Sequence, residues 1–159
     1  MSAPPAPTPG DLDHRTAALV RLEQEVGVLV RRVRRVIAER AAAVHPDLQP
    51  AAYLMLSHLD KAGPMRASVA ADELHLDKGA VSRQVTQLLA LGLVERTPDP
   101  EDGRAQLLTS SPEGTRRLAE IVEHRRTWLS ERLHDWDDAD LDDLVSSLTR
   151  YNATLDQPR

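Results

Sequence analysis

Between residues 19 and 36 the apolar positions Leu19, Leu22, Val26, Leu29, Val33 and Val36 advance in alternating steps of three and four. That spacing lays them on one stripe of a long helix. Leu141, Leu144, Leu148, Tyr151 and Leu155 repeat the alternation near the C-terminus. Asp137 stands ahead of that second stripe as an N-cap, with Asp140 at the reciprocal position of a capping box. Leu118, Ile121, Val122, Leu129 and Leu133 mark a further long helix. Ser111-Pro112-Glu113 opens it with a cap, a first-turn proline and an acid facing the helix dipole.

The middle of the chain predicts three shorter helices. Gln49-Pro50 starts one that runs through Tyr53, Leu56 and Leu59 and stops at Gly63-Pro64. Ser68 is the expected cap of the second, with Ala71 and Leu74 facing inward. Asp77 caps the third, which turns Val81, Val85, Leu88 and Leu89 inward and ends at Gly92, a natural C′ residue. Only His75-Leu76 separates the second from the third, which is a helix-turn-helix pattern. Two strand-like runs follow, residues 93–97 and 104–109, around a tip rich in Pro, Asp and Gly. They predict a β-hairpin with a long tip. A helix-turn-helix followed at once by a hairpin is a winged helix, so the expected fold class is mainly α, an α+β winged helix between long terminal helices.

The two terminal stripes are compatible with the inside of a monomeric bundle or with helices of two chains interlocking. Length narrows the rest: 159 residues suit one domain with a real core. The core is aliphatic, since aromatics are 3% and Phe is absent. With no cysteine, a disulfide scaffold, a thiolate zinc site and a thiol redox sensor are excluded. No apolar run approaches the ~20 residues of a membrane span. The first ten residues hold four prolines and no basic cluster, and read as a disordered tail, not a signal peptide. The expected setting is cytoplasmic.

A net charge of −5 looks unfavourable for nucleic acid until it is mapped. Residues 134–159 carry seven Asp against two Arg, which accounts for the whole deficit. Phosphate binding depends on a local basic surface, so the acidic total does not exclude DNA. With Val81, Val85 and Leu88 inward, the third short helix is expected to present Lys78, Ser82, Gln84 and Gln87 outward, with Arg83 at the border. Gln pairs with adenine through two hydrogen bonds, Arg with guanine, and Ser or Lys with phosphate. Taken alone, such residues are more often an ordinary solvated face. No enzymatic arrangement is present: there is no phosphate-cradling Gly loop, G-x-S-x-G elbow or H-E-x-x-H pair. The six histidines are scattered and form no i,i+4 pair, so no metal or cofactor is expected. A sensing role for His45, His58 or His124 is left open, and Trp128 and Trp136 read as packing anchors.

In order and spacing, several segments resemble the MarR family of bacterial transcriptional regulators. They are Ser82-Arg83, then Gly92-Leu93-Val94-Glu95-Arg96, then Asp99-Pro100-Glu101-Asp102-Gly103-Arg104-Ala105, and finally Pro112-Glu113-Gly114. The likeness runs from about Leu19 to Leu155. Ser110-Ser111 stands where the family usually has Leu-Thr, and Ala70 where a larger apolar residue is common. The resemblance implies a homodimer with interlocked terminal helices, dimerising through residues such as Leu19, Leu22, Val26, Leu141, Leu144, Leu148 and Tyr151. It implies two winged helices presented to duplex DNA, acting as a repressor of a pseudo-palindromic operator. It also implies release by a small aromatic or phenolic effector, whose binding residues it does not identify.

On this reading Lys78, Ser82, Arg83, Gln84 and Gln87 face the major groove. Arg104 at the wing tip enters the minor groove, with its guanidinium held by Asp102. Arg96 and Arg66 are candidate phosphate contacts. Arg31, Arg32, Arg34 and Arg35 read as solvated or as partners of the acidic C-terminal helix. The expected organisation is a disordered tail over 1–11, an N-terminal dimerisation helix over 12–46, the winged helix over 47–110 and dimerisation helices over 111–159. The alternative is a winged-helix protein–protein interaction module without DNA binding.

Overall fold

The computed structural model describes residues 9–156. The Pro-rich tail expected over 1–11 falls, as far as residue 8, outside the described residues. The chain forms two compact units, one ending at Leu118 and the other beginning at Ala119.

In the first unit, helix α1 runs Pro9–Val44. Its predicted stripe is not covered: Leu19, Leu22, Leu29 and Val33 are exposed, and Val26 and Val36 are half-buried. Only the last turns enter the core, through Ala41 and Val44. Helix α2, Pro50–Ala62, opens on Gln49 with Pro50 in its first turn and stops at Gly63, whose φ of +85° suits a residue without a Cβ. It supplies the centre of the core through Ala52, Tyr53, Met55, Leu56 and Leu59.

A short strand, β1 (Met65–Arg66), leads straight into α3, Ala67–Glu73. The expected Ser68 cap is therefore corrected: Arg66 occupies the N-cap position and makes no side-chain cap bond. The reason is nonlocal, because Met65 and Arg66 pair with Leu108 and Leu107 of the wing, so the chain passes directly from sheet into helix. Ala70, with its small side chain, is fully buried on α3. The turn that follows uses His75 in the left-handed region at φ +53°. Its ring Nδ1 sits 2.8 Å from the Asp72 carbonyl. Helix α4, Lys78–Ala90, begins at Asp77, whose carboxylate accepts the Ala80 N–H at 2.8 Å, as the sequence predicts. Gly92 follows at φ +67°.

Strands β2 (Val94–Pro98) and β3 (Gln106–Ser110) form the hairpin, and β1 adds to the far side of β3. The register sets Val94 opposite Ser110 and Pro98 opposite Gln106. Helix α5, Pro112–Arg132, is stitched to the end of α4 at its start. The buried Ser111 hydroxyl donates to the Gly92 carbonyl at 2.7 Å and accepts the Gly114 N–H at 3.0 Å. Gly114 has no room for a side chain, since a Cβ there would lie 2.3 Å from the Leu93 carbonyl oxygen. This is the physical content of the Pro-Glu-Gly motif.

Glu113 receives a fork from Arg116 and a bond from Arg117 Nε at 2.6 Å. Hydrogen bonds from these two guanidinium groups pull its carboxyl down to about 2. Arg117 also donates to the Val44 carbonyl, placing a cation at the C-terminal end of α1, whose last turn has no basic residue of its own.

The second unit holds the remainder of α5 and helix α6, Asp138–Leu155. The predicted capping box is present: Asp137 accepts the Asp140 N–H at 2.8 Å and Asp140 accepts the Asp137 N–H at 3.3 Å. No residue of α6 is buried. Leu144, Val145, Leu148 and Leu155 are exposed, and Leu141 and Tyr151 half-buried. Trp128 and Trp136, expected as packing anchors, are exposed as well, with the Arg132 guanidinium 5.7 Å from the Trp128 ring centre. Among the described residues, no helix is long and apolar enough to cross a membrane.

Candidate nucleic-acid interface

Helix α4 buries Val81, Val85 and Leu88, as its periodicity requires. Lys78, Ser82 and Arg83 stand exposed on the other side, joined by Thr86, whose hydroxyl donates to the Ser82 carbonyl at 2.8 Å. Thr86 was missed in the sequence, although it lies one helical turn beyond Ser82. The Arg83 guanidinium folds back toward the helix start, its Nη1 lying 3.5 Å from where a Cβ of Gly79 would stand. Lys78 and Arg83 thus place two cations at the start of the helix, a position that suits a phosphate oxygen.

Two of the expected outward residues are not available there. Gln84 is only 8% exposed, with its Oε1 buried and unpartnered. It follows Val81 by three residues, and the apolar face is wide enough to take it in. Gln87 is half-buried and both ends of its amide are engaged. Its Nε2 donates to the Asp47 carbonyl at 2.7 Å, and its Oε1 accepts the Gln49 N–H at 3.3 Å.

The wing tip is a closed loop over residues 99–105. Asp99 N–H donates to the Ala105 carbonyl and Ala105 N–H to the Asp102 carbonyl. Asp99 is 7% exposed, and its carboxylate is fully used. Oδ1 accepts the Glu101 N–H at 2.9 Å, and Oδ2 accepts Nε and Nη2 of Arg66, both at 2.6 Å. The Glu101 backbone bond, followed by the Arg66 hydrogen bond, holds the Asp99 carboxyl below its usual range; the same pairing raises Arg66.

Asp102 plays a different part from the one expected. Its Oδ1 accepts the backbone N–H of Arg104 at 3.1 Å, and its Oδ2 lies 3.9 Å from Arg66 Nη2. It fixes the Arg104 main chain, as an Asx turn does, and not the guanidinium. The guanidinium held by wing carboxylates is that of Arg66. The sequence carries no local signal for this pairing, because the partners are 33 residues apart. Arg104 and Arg96 are exposed, at the tip and on β2 respectively.

A helix-turn-helix with a cationic outer edge, backed by a braced hairpin bearing an exposed arginine, defines the winged-helix class of duplex-DNA-binding domain. Comparison with known proteins agrees. The MarR family model matches residues 47–105. An HTH-type transcriptional regulator of Bacillus subtilis (strain 168), YxaD, is 30% identical over 131 residues, spanning 82% of this chain and 90% of its own length. Among solved structures, RV1404 from Mycobacterium tuberculosis is similar with a TM-score of 0.71 at 25% identity, over 96% of this chain and 100% of that one. The transcriptional regulator BldR from Sulfolobus solfataricus shares the fold with a TM-score of 0.64 at 21% identity, over 86% and 96%. The chain belongs to the MarR family and is a DNA-binding transcriptional regulator, not an enzyme.

Proposed function

We propose that the chain acts as a homodimeric repressor of a pseudo-palindromic operator, released by a small aromatic or phenolic molecule. The observation that carries the DNA contact is the exposed edge of α4, where Lys78, Ser82, Arg83 and Thr86 lie together behind a capped helix start. This edge lies in the major groove, with Ser82 and Lys78 on phosphates and Arg83 on a guanine edge. Arg104 occupies the flanking minor groove, and Arg96 contacts the backbone. Gln84 and Gln87 have no role in base reading.

The homodimer is supported by the uncovered stripes on α1 and α6, each long and apolar enough to seek a partner helix. Leu19, Leu22 and Val26 belong to one, Leu141, Leu144, Leu148 and Tyr151 to the other. Two recognition helices then address half-sites about 34–36 Å apart, one turn of DNA. An effector acts by favouring a dimer whose recognition helices are wrongly spaced.

The test is binding of the full chain to duplex from its own upstream region and to scrambled duplex, across a salt series. Preferential, salt-dependent binding as a dimer is expected. Equal, salt-insensitive binding to both duplexes would refute the DNA-contact assignment. A broad phenolic panel that leaves operator affinity unchanged would refute the effector.

A further inference from the structure

The amide of Gln87 joins two parts of the molecule that the sequence gives no reason to connect. It grips the backbone of the linker between α1 and α2 from both directions, donating to Asp47 and accepting from Gln49. The linker itself, residues 45–49, is held locally by short-range bonds around His45 and by the ends of the two helices. Leu48 N–H donates to the His45 carbonyl at 2.9 Å, and Asp47 N–H reaches the His45 ring at 3.1 Å. Leu48 is buried below. The α1 side is tied by Arg117 on the Val44 carbonyl.

We infer that Gln87 is a positioning residue, pinning this linker to the recognition helix and so setting the half-site spacing that a dimer accepts. The inference rests on the dimeric, DNA-binding reading above and goes beyond it. A glutamine reads adenine through its amide N–H and carbonyl together. Each of those atoms already has one partner in the linker, which fixes the orientation of the amide toward the backbone of residues 47 and 49. The linker is the only covalent path between α1, which bears one uncovered apolar stripe, and the helix-turn-helix. A small rotation there moves the recognition helix by ångströms, comparable to the rise of about 3.4 Å per base pair. Locking the hinge therefore converts into discrimination between operators that differ only in spacing.

The experiment compares the full-length wild type with Gln87→Met and Gln87→Glu. Methionine has similar length and no hydrogen bonds. Glutamate keeps the acceptor for Gln49 and loses the donor to Asp47. Each protein is titrated with duplexes carrying two copies of a selected half-site at the preferred spacing, at one or two base pairs more or fewer, and with a single half-site. Dimer mass is followed by sedimentation.

The expected result is unchanged dimer mass and single-half-site affinity in Gln87→Met. Its penalty for mis-spaced operators falls about fivefold or more, with Gln87→Glu intermediate. A spacing profile in both variants equal to that of the wild type overturns the inference while leaving the dimer reading intact. An equal loss at every spacing, with altered base preference, overturns it in favour of direct contact. A wild type that is monomeric or indifferent to spacing overturns the dimeric reading, and the inference with it.

Discussion

Nε and Nη2 of Arg66 both lie 2.6 Å from the same carboxylate oxygen of Asp99, 33 residues away in sequence. The pair ties the strand that precedes α3 to the first residue of the wing tip, so the wing is braced by the helix-turn-helix side of the sheet. Arg66→Ala and Asp99→Ala should each lower operator affinity roughly tenfold, by loosening a contact element without removing one. Amide exchange over residues 99–105 should accelerate in both variants. Arg66→Lys recovers only part of the loss, because an ammonium does not reproduce the planar fork. Unchanged exchange at the wing tip in Asp99→Ala would refute the brace.

The carboxylates of Asp99 and Glu113 both have folded-state pKa values below their ordinary ones, Glu113 falling from 4.5 to about 2. Depressed carboxylates contribute stability that is fully present above the ordinary pKa and lost as pH falls through the folded one. Stability should therefore stay level in this respect from pH 7 to about 5 and decline between about 4.5 and 2. Glu113→Gln should flatten part of that decline while lowering stability at pH 7. Urea midpoints of wild type and variant across this range decide it, and parallel curves would remove Glu113 as a cause.

Most of the fold was legible because its signals are local. The alternating stripes mark the long helices, Asp77 and Asp137 mark the starts of α4 and α6, and the Pro-Asp-Gly tip marks the hairpin. What escaped depends on contacts distant in sequence. Strand β1 exists only because β3 pairs with Met65 and Arg66. Sequence proximity points to Asp102 as the holder of the Arg104 guanidinium, whereas the guanidinium that wing carboxylates hold is that of Arg66, 33 residues from Asp99. With Val81, Val85 and Leu88 taken as the inward face, the polar Gln84 and Gln87 are expected to point outward. Polarity says nothing about an apolar face broad enough to bury Gln84, or about a linker 40 residues away that Gln87 bonds.

Gln84 gives a direct check of that correction. Its buried Oε1 lacks a partner, and such an atom loses its water without compensation. Gln84→Met removes the polar atom at nearly constant volume and should stabilise the chain by about 1 kcal/mol. Base preference in a random-sequence selection should not change. A shifted preference at one operator position would return Gln84 to the interface.

Arg104 differs from Arg66 in that no carboxylate among the described residues pairs with its guanidinium, while its main chain is anchored by Asp102. A fixed backbone carrying an exposed cation is suited to a narrow, negative groove. Arg104→Ala should weaken operator binding and reduce the slope of log affinity against log salt by about one unit. Asp102→Ala, which frees the turn but leaves the Arg104 cation in place, should weaken binding with the slope retained. Two variants with identical slopes would leave Arg104 outside the phosphate contacts.

Leu19 at 50% exposure and Leu22 at 43% lie on α1, and Leu144 at 42% and Leu148 at 41% on α6. Leucines spaced three and four apart cover a continuous strip, and leaving such strips in water opposes the burial that folds the rest of the chain. The proposed homodimer would cover them with a second copy of the same apolar strip. Leu22→Glu and Leu148→Glu each place a charge in that contact and should weaken dimerisation by about 3 kcal/mol, roughly a hundredfold or more. Sedimentation at micromolar concentration should then find monomer, and operator binding should fall toward that of a single half-site. If both variants sediment as dimers with wild-type operator affinity, the stripes serve some other contact. The two recognition helices would then have to be joined through a different surface.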